Sequence, residues 1–124
     1  MILLDTSVLI ELFRVKDKSK TLFFRLSASD DKFGVSSITH YEIFIGVPIM
    51  QTDFWTTFFE QVKIIPFDGK CSQEAVKIYK ELKVKNKLVA LPDLLIAATA
   101  IANRLPVATL NVKHFERIEK LVIL

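Results

Sequence analysis

Short apolar runs of β-forming residues alternate with longer segments of helical spacing along all 124 residues, and this alternation limits the chain to few folds. Ile2-Leu3-Leu4, Lys32 to Ser36, Val62 to Pro66, Pro106 to Thr109 and Leu121 to Leu124 read as strands. Between them, Val8 to Phe13, Ser19 to Ser27, Thr39 to Val47, Phe54 to Gln61 and Ser72 to Lys85 carry apolar residues at helical intervals, and Val112 to Ile118 reads as a short helical turn. Leu94 to Ala102 is apolar all round, which marks a helix buried inside the domain, with four alanines that permit close packing on a sheet. Strands separated by helices form parallel pairs through crossover connections. The expected architecture is a single α/β domain over residues 1–124, a three-layer α/β/α sandwich around a mostly parallel five-stranded sheet.

In such sheets ligands bind beyond the carboxyl ends of the strands, so the acids that follow strands deserve the closest reading. Asp5 comes directly after the first strand and Glu42 lies one turn after the second. Asp93 is the one charge between Lys87 and Arg104, just after Pro92. Each has a capping explanation: Asp5-Thr6-Ser7 is a good helix start, Thr39-His40-Tyr41-Glu42 matches a capping box, and Asp93 sits where a helix dipole favours an anion. The dipole explains why a charge at 93 is tolerated, not why one is present, since an isolated buried carboxylate costs several kcal/mol. Three carboxylates at one edge repel one another unless a cation lies among them, and oxygen-only ligation selects Mg²⁺ or Mn²⁺ over Zn²⁺. Such a site is suited to phosphodiester hydrolysis.

Composition is permissive. The net charge of +3 allows nucleic-acid binding without requiring it, and Arg14, Lys16, Lys18, Lys20, Lys113 and Arg117 are the basic residues placed to meet phosphate, although a solvated face is their default role. The single cysteine, Cys71, excludes an internal disulfide and fits a reducing compartment. Met1 to Phe13 lacks a basic leader and is interrupted by Asp5 and Glu11, while Leu88 to Ala102 contains Pro92 and Asp93 and is too short to span a bilayer. The expectation is a cytoplasmic protein with no membrane association. Ten phenylalanines exceed what one small core readily hides, so some should reach the surface as a partner site, whereas the Phe54-Trp55-Phe58-Phe59 stripe reads first as core.

Four segments in order, Leu-Leu-Asp-Thr-Ser-Val-Leu-Ile-Glu-Leu-Phe (3–13), Ser-Ser-Ile-Thr-His-Tyr-Glu (36–42), Leu-Pro-Asp-Leu-Leu-Ile-Ala-Ala-Thr-Ala (91–100) and Ala-Thr-Leu-Asn-Val-Lys-His-Phe-Glu-Arg-Ile (108–118), resemble the PIN domain, and within it the VapC-type toxins of VapBC toxin–antitoxin pairs. The resemblance covers essentially the whole chain. It implies an Mg²⁺- or Mn²⁺-dependent endoribonuclease, usually a homodimer, inhibited by a cognate antitoxin whose C-terminal segment lies across the toxin's groove. Carried over residue by residue, Asp5, Glu42 and Asp93 fall on the family's core acids. Thr6, Thr109 and Asn111 fall on polar positions expected to hydrogen-bond the ligating carboxylates or their waters. One place departs from the pattern: many members carry a fourth acid where this chain has His114, which would position a water, contact phosphate or pack against its loop. Two other readings fit part of the pattern. A non-catalytic PIN-like binding module would keep the fold without cleavage. A phosphoacceptor receiver domain would use Asp5, Asp68 and Thr109, but it needs a pair of acids after the first strand, and Asp5 has no acidic neighbour.

Overall fold

The structure is a computed structural model that describes residues 1–29 and 32–124. Its centre is β1 (Ile2–Leu4), fully enclosed by β2 (Phe33–Ser36) on one side and β4 (Val107–Ala108) on the other, with β3 (Lys63–Ile65) beyond β2. The order β3-β2-β1-β4 is parallel throughout, with Leu3 opposite Gly34 and Val107, and Leu4 opposite Val35 and Ala108. The fifth strand expected at Leu121–Leu124 is reduced to one parallel bridge between Val107 and Ile123. The reason lies in β4. Pro106 at its start has no N–H to donate, Thr109 turns out of the sheet, and only Val107 is left to bond Val122 O and Leu124 N.

Helices cover both faces, as the three-layer reading requires. On one face Leu3, Ile65 and Val107 pack with α5 (Gly69–Val84), α6 (Leu91–Ala102) and Phe115 of α7 (Val112–Phe115). Ile96, Ala97, Ala98 and Ala100 are fully enclosed, and these small side chains let α6 settle against both sheet and α5. On the other face Ile2, Leu4, Val35 and Ala108 pack with α1 (Thr6–Arg14), α2 (Leu22–Ser27), α3 (Ser37–Gly46) and α4 (Thr52–Glu60). Gly34 has a steric purpose here: an added Cβ would come within 3.0 Å of Ile65 Cδ1 and 3.1 Å of Met1 Sδ.

The Ser19–Ser27 segment is not one helix. A 3₁₀ turn (Lys18–Lys20) gives way to α2 at Thr21, whose hydroxyl accepts the N–H of Phe24 and starts a new helix. Most of the aromatic excess is internal. Trp55 and Phe59 are buried, Phe13 packs on Trp55 and Phe54, and of the ten phenylalanines only Phe24 and Phe54 are exposed. Lys18 is removed from the basic residues expected to meet phosphate, because its ammonium donates to the carbonyls of Leu12, Phe13 and Val15 at the end of α1. Asp68 is a helix cap, accepting the N–H of Cys71 at 3.2 Å, which accounts for it without phosphoacceptor chemistry. Among the described residues no helix is long and apolar enough to cross a membrane.

Candidate active site

The parallel sheet delivers three chain segments to one edge. β1 ends in Asp5, β2 leads through Ser36 into α3, and β4 ends in Thr109. Because β1 lies between β2 and β4, Asp5 occupies the middle of that edge. Its backbone N–H still follows the sheet, donating to Ala108 O at 2.9 Å, and the residue is 2% exposed.

Asp5 occupies the cap position of α1, yet its carboxylate makes no cap hydrogen bond. Instead Oδ2 accepts from Ser7 Oγ at 2.7 Å and from Thr109 Oγ1 at 2.8 Å. The two hydroxyls are themselves fixed: Ser7 Oγ accepts the N–H of Leu110 and Thr109 Oγ1 that of Asn111. Among the described residues Oδ1 has no donor and no fully enclosed side-chain polar atom lacks a partner, so Oδ1 keeps an opening to solvent. The carboxylate is thus held at one oxygen by two side-chain hydroxyls and does not cap the helix.

Glu42 does not belong to a capping box. The cap of α3 is Ser36, whose hydroxyl accepts the N–H of Thr39 at 3.1 Å, and this places Glu42 in the second turn. There Oε1 accepts from Thr6 Oγ1 at 2.8 Å, and Thr6 Oγ1 also lies 3.0 Å from the buried Thr39 Oγ1. Thr6 is the residue after Asp5, so this bond ties the second acid to the chain segment of the first.

Asp93 stands in the first turn of α6 behind Pro92, where no side chain caps the helix. Burial and then the charge of Asp5 raise its pKa, and His114 works partly against them, so the carboxyl lies above its ordinary value of 3.8. His114 Nδ1 is 3.5 Å from Asp93 Oδ2, and the ring is largely exposed. His114 therefore does not pack against its loop; it faces an acid.

The edge thus holds Asp5 and Asp93 within electrostatic reach of each other, with His114 beside Asp93 and Glu42 held through Thr6. Among the described residues no three His, Cys, Asp or Glu side chains close into a ready-made metal cage. The donor set still suits a hard cation, since Mg²⁺ takes one or two carboxylates and fills its remaining positions with water and phosphate oxygens. Asn111 lies at the turn between β4 and α7. Its side chain makes no hydrogen bond among the described residues, while its N–H holds Thr109 Oγ1 and its carbonyl accepts the N–H of His114 at 3.0 Å. Ser7 and Thr39 were missed by sequence reasoning because hydroxyls near helix starts read as caps; the only available signal was their spacing from Asp5 and Glu42.

Comparison with known proteins agrees with this geometry. A family profile described as PIN domain matches residues 2–121. The chain is 32% identical to "Ribonuclease VapC" of Rickettsia bellii, covering 99% of this chain and 94% of the relative. It is 35% identical to "Ribonuclease VapC1" of Methanocaldococcus jannaschii, covering 96% and 82%. Among solved structures, VapBC2 of Rickettsia felis bound to a promoter DNA fragment matches with a TM-score of 0.86 at 26% identity, over 100% of this chain and 98% of that one. DNA-bound VapBC of Salmonella typhimurium matches with a TM-score of 0.87 at 27% identity, over 100% and 98%. The strand-end acids, the parallel sheet that presents them and these likenesses lead to one assignment: the chain belongs to the PIN domain family, among the VapC ribonucleases.

Proposed function

We propose that this chain is the toxin of a toxin–antitoxin pair, an Mg²⁺- or Mn²⁺-dependent endoribonuclease that hydrolyses RNA phosphodiester bonds with Asp5, Glu42 and Asp93 as its acids. The observation that carries the reading is the pair Asp5 and Asp93, one buried and anchored by a single oxygen, the other raised in pKa by burial and by its neighbour's charge. Two carboxylates that repel each other at the open edge of a sheet destabilise the empty site and favour a cation between them. The ion would be held by Asp5 and Asp93 with Glu42 beside them, and it would lower the pKa of a water and neutralise charge on the phosphate.

The chain's own residues do the positioning. Ser7 and Thr109 fix Oδ2 of Asp5 so that Oδ1 faces outward, and Thr6 orients Glu42. His114 brings a ring nitrogen rather than a further carboxylate to Asp93, which leaves less negative charge to hold a second ion and favours one well-held ion over two.

The antitoxin has a suitable place. A groove of about 410 Å³ runs between α1 and α3, lined by Ile10, Phe13, Val47, Pro48 and Trp55, and it reaches Glu42. Tyr41, Ile45, Ile49 and Met50 on the same stretch of chain are exposed, Met50 at 96%. An apolar segment seated there would end beside the acids and block them, and the remaining exposed apolar surface is available for homodimerisation.

The test is RNA cleavage by purified protein with Mg²⁺ or Mn²⁺, with EDTA, and with Asp5→Ala and Asp93→Ala. Cleavage should require the cation and fall to background in both folded variants. Full activity in EDTA or in both variants would overturn the reading.

A further inference from the structure

The segments that deliver Asp93 and His114 also enclose a cleft of about 630 Å³, lined by Asn86, Lys87, Lys113, Glu116 and Arg117. One wall is the α5–α6 connection, which runs on into Asp93; the other is α7 with its following turn, where Lys113 directly precedes His114. Three cations face one carboxylate across this space.

The cleft is built rather than incidental. Asn86 takes a left-handed φ of 53° and ends α5, with its own N–H bonded to Lys83 O and that of Lys87 bonded to Leu82 O. This pair of bonds pins the backbone at Lys87. Across the cleft Arg117 Nη1 donates to Leu88 O at 3.0 Å, and Lys85 pairs with Glu119 at 2.7 Å, so two ties hold the walls together. Lys87 and Lys113 form no ion pair among the described residues, and their charge is available to a ligand.

We infer that this cleft binds the sugar–phosphate backbone of the RNA strand next to the bond that is cut, with Lys87 and Lys113 as positioning residues that meet phosphates; the inference rests on the nuclease reading. Its lining contains no aromatic ring on which a base could stack and no amide other than Asn86 to read a base edge. Cations that meet phosphates set the register of a strand and carry no sequence information. The cleft therefore holds any RNA in line with the acids, and choice of target lies elsewhere on the surface.

The test is binding of fluorescein-labelled single-stranded RNAs of two unrelated sequences, followed by anisotropy in EDTA over a series of salt concentrations, for the wild type, Lys87→Ala/Lys113→Ala and Lys87→Arg/Lys113→Arg. The alanine pair should weaken both RNAs alike, by roughly tenfold, and reduce the slope of log affinity against log salt by about 1.4, near 0.7 for each lost phosphate contact. The arginine pair should retain the wild-type slope. An unchanged slope in the alanine pair, or a loss confined to one sequence, would overturn the inference. Cleavage by the wild type with Mg²⁺ is scored in parallel, so a failed cleft with intact cleavage removes this inference alone. A slope that falls as expected in a protein that cuts no RNA removes the nuclease reading and leaves an RNA-binding cleft.

Discussion

Thr109 Oγ1 donates to Asp5 Oδ2 at 2.8 Å and accepts the N–H of Asn111 at 2.9 Å, so one hydroxyl links the end of β4 to the acid at the end of β1. Both strand ends are held by the sheet, and the bond is fixed before any ligand arrives. Thr109→Val keeps the shape but removes the proton that Asp5 accepts and the oxygen that Asn111 needs. We expect a loss of about 2 kcal/mol in stability, the scale of a hydrogen bond to a charged group. Cleavage should fall by roughly 10- to 100-fold, as for other groups that orient metal ligands. Urea melts and single-turnover cleavage measure the two effects, and Thr109→Ser should recover most of both.

Asp93→Asn should separate stability from function. The folded-state pKa of Asp93 lies above its ordinary 3.8, through burial first and the Asp5 charge second, with His114 offsetting part of the rise. A raised carboxyl contributes stability below its unfolded pKa, and that contribution disappears as the pH rises through the folded value. At neutral pH without divalent ions the ionised side chain is therefore a net liability. Asp93→Asn should raise the Tm by a few degrees in EDTA at pH 7, with the gain shrinking as the pH is lowered toward the carboxyl range, while cleavage is lost. An equal or lower Tm for the variant at neutral pH would show that the His114 contact outweighs burial and repulsion.

Position along the chain was the legible part of this site. Alternating runs placed β1, β2 and β4, and strand ends are where ligands bind, so Asp5 and Glu42 stood out by position, while Asp93 stood out as the lone charge in an apolar stretch and the four ordered motifs joined the three. Partners were less accessible. Ser7 and Ser36 carry the same residue type near helix starts, yet Ser36 caps α3 and Ser7 instead supports Asp5, a difference set by where Thr109 arrives from a distant strand. The meeting of His114 with Asp93 joins two separate helix ends and has no local signature. Lys18 looked like any surface lysine because the carbonyls it satisfies exist only once α1 has ended. The fifth strand failed for a similar reason: its apolar pattern is strand-like, but pairing depends on how much of β4 remains to receive it.

Arg104 offers a stability change remote from the acids. It follows α6 with a left-handed φ of 56°, its N–H bonded to Ile101 O and that of Leu105 to Ala100 O, a helix ending that glycine usually occupies. A side chain with a Cβ costs about 1–2 kcal/mol in this conformation, partly offset by the greater entropy glycine loses on folding. Arg104→Gly should stabilise the protein by about 0.5 kcal/mol, read as a higher urea midpoint at unchanged slope. A lower midpoint would mean that the arginine stem contributes packing beyond its backbone cost.

Cys71 reports on the opening of the fold. It is fully buried where α5 meets the end of α6, with Sγ 3.7 Å from Pro66 O and 3.9 Å from Asn103 Nδ2. Burial leads the influences that raise its thiol above the ordinary 9.0, so at about pH 8 the native protein offers neither access nor thiolate. A disulfide reagent such as DTNB should therefore modify it only as fast as α5 and α6 separate, and at once in concentrated guanidinium chloride. Because Asp93 lies at the start of α6, cation binding at the acids should slow labelling further, and Asp5→Ala should remove that protection. Labelling that is rapid in the native state, or indifferent to Mg²⁺ and Mn²⁺ in the wild type, would show that the core around Cys71 opens independently of the site.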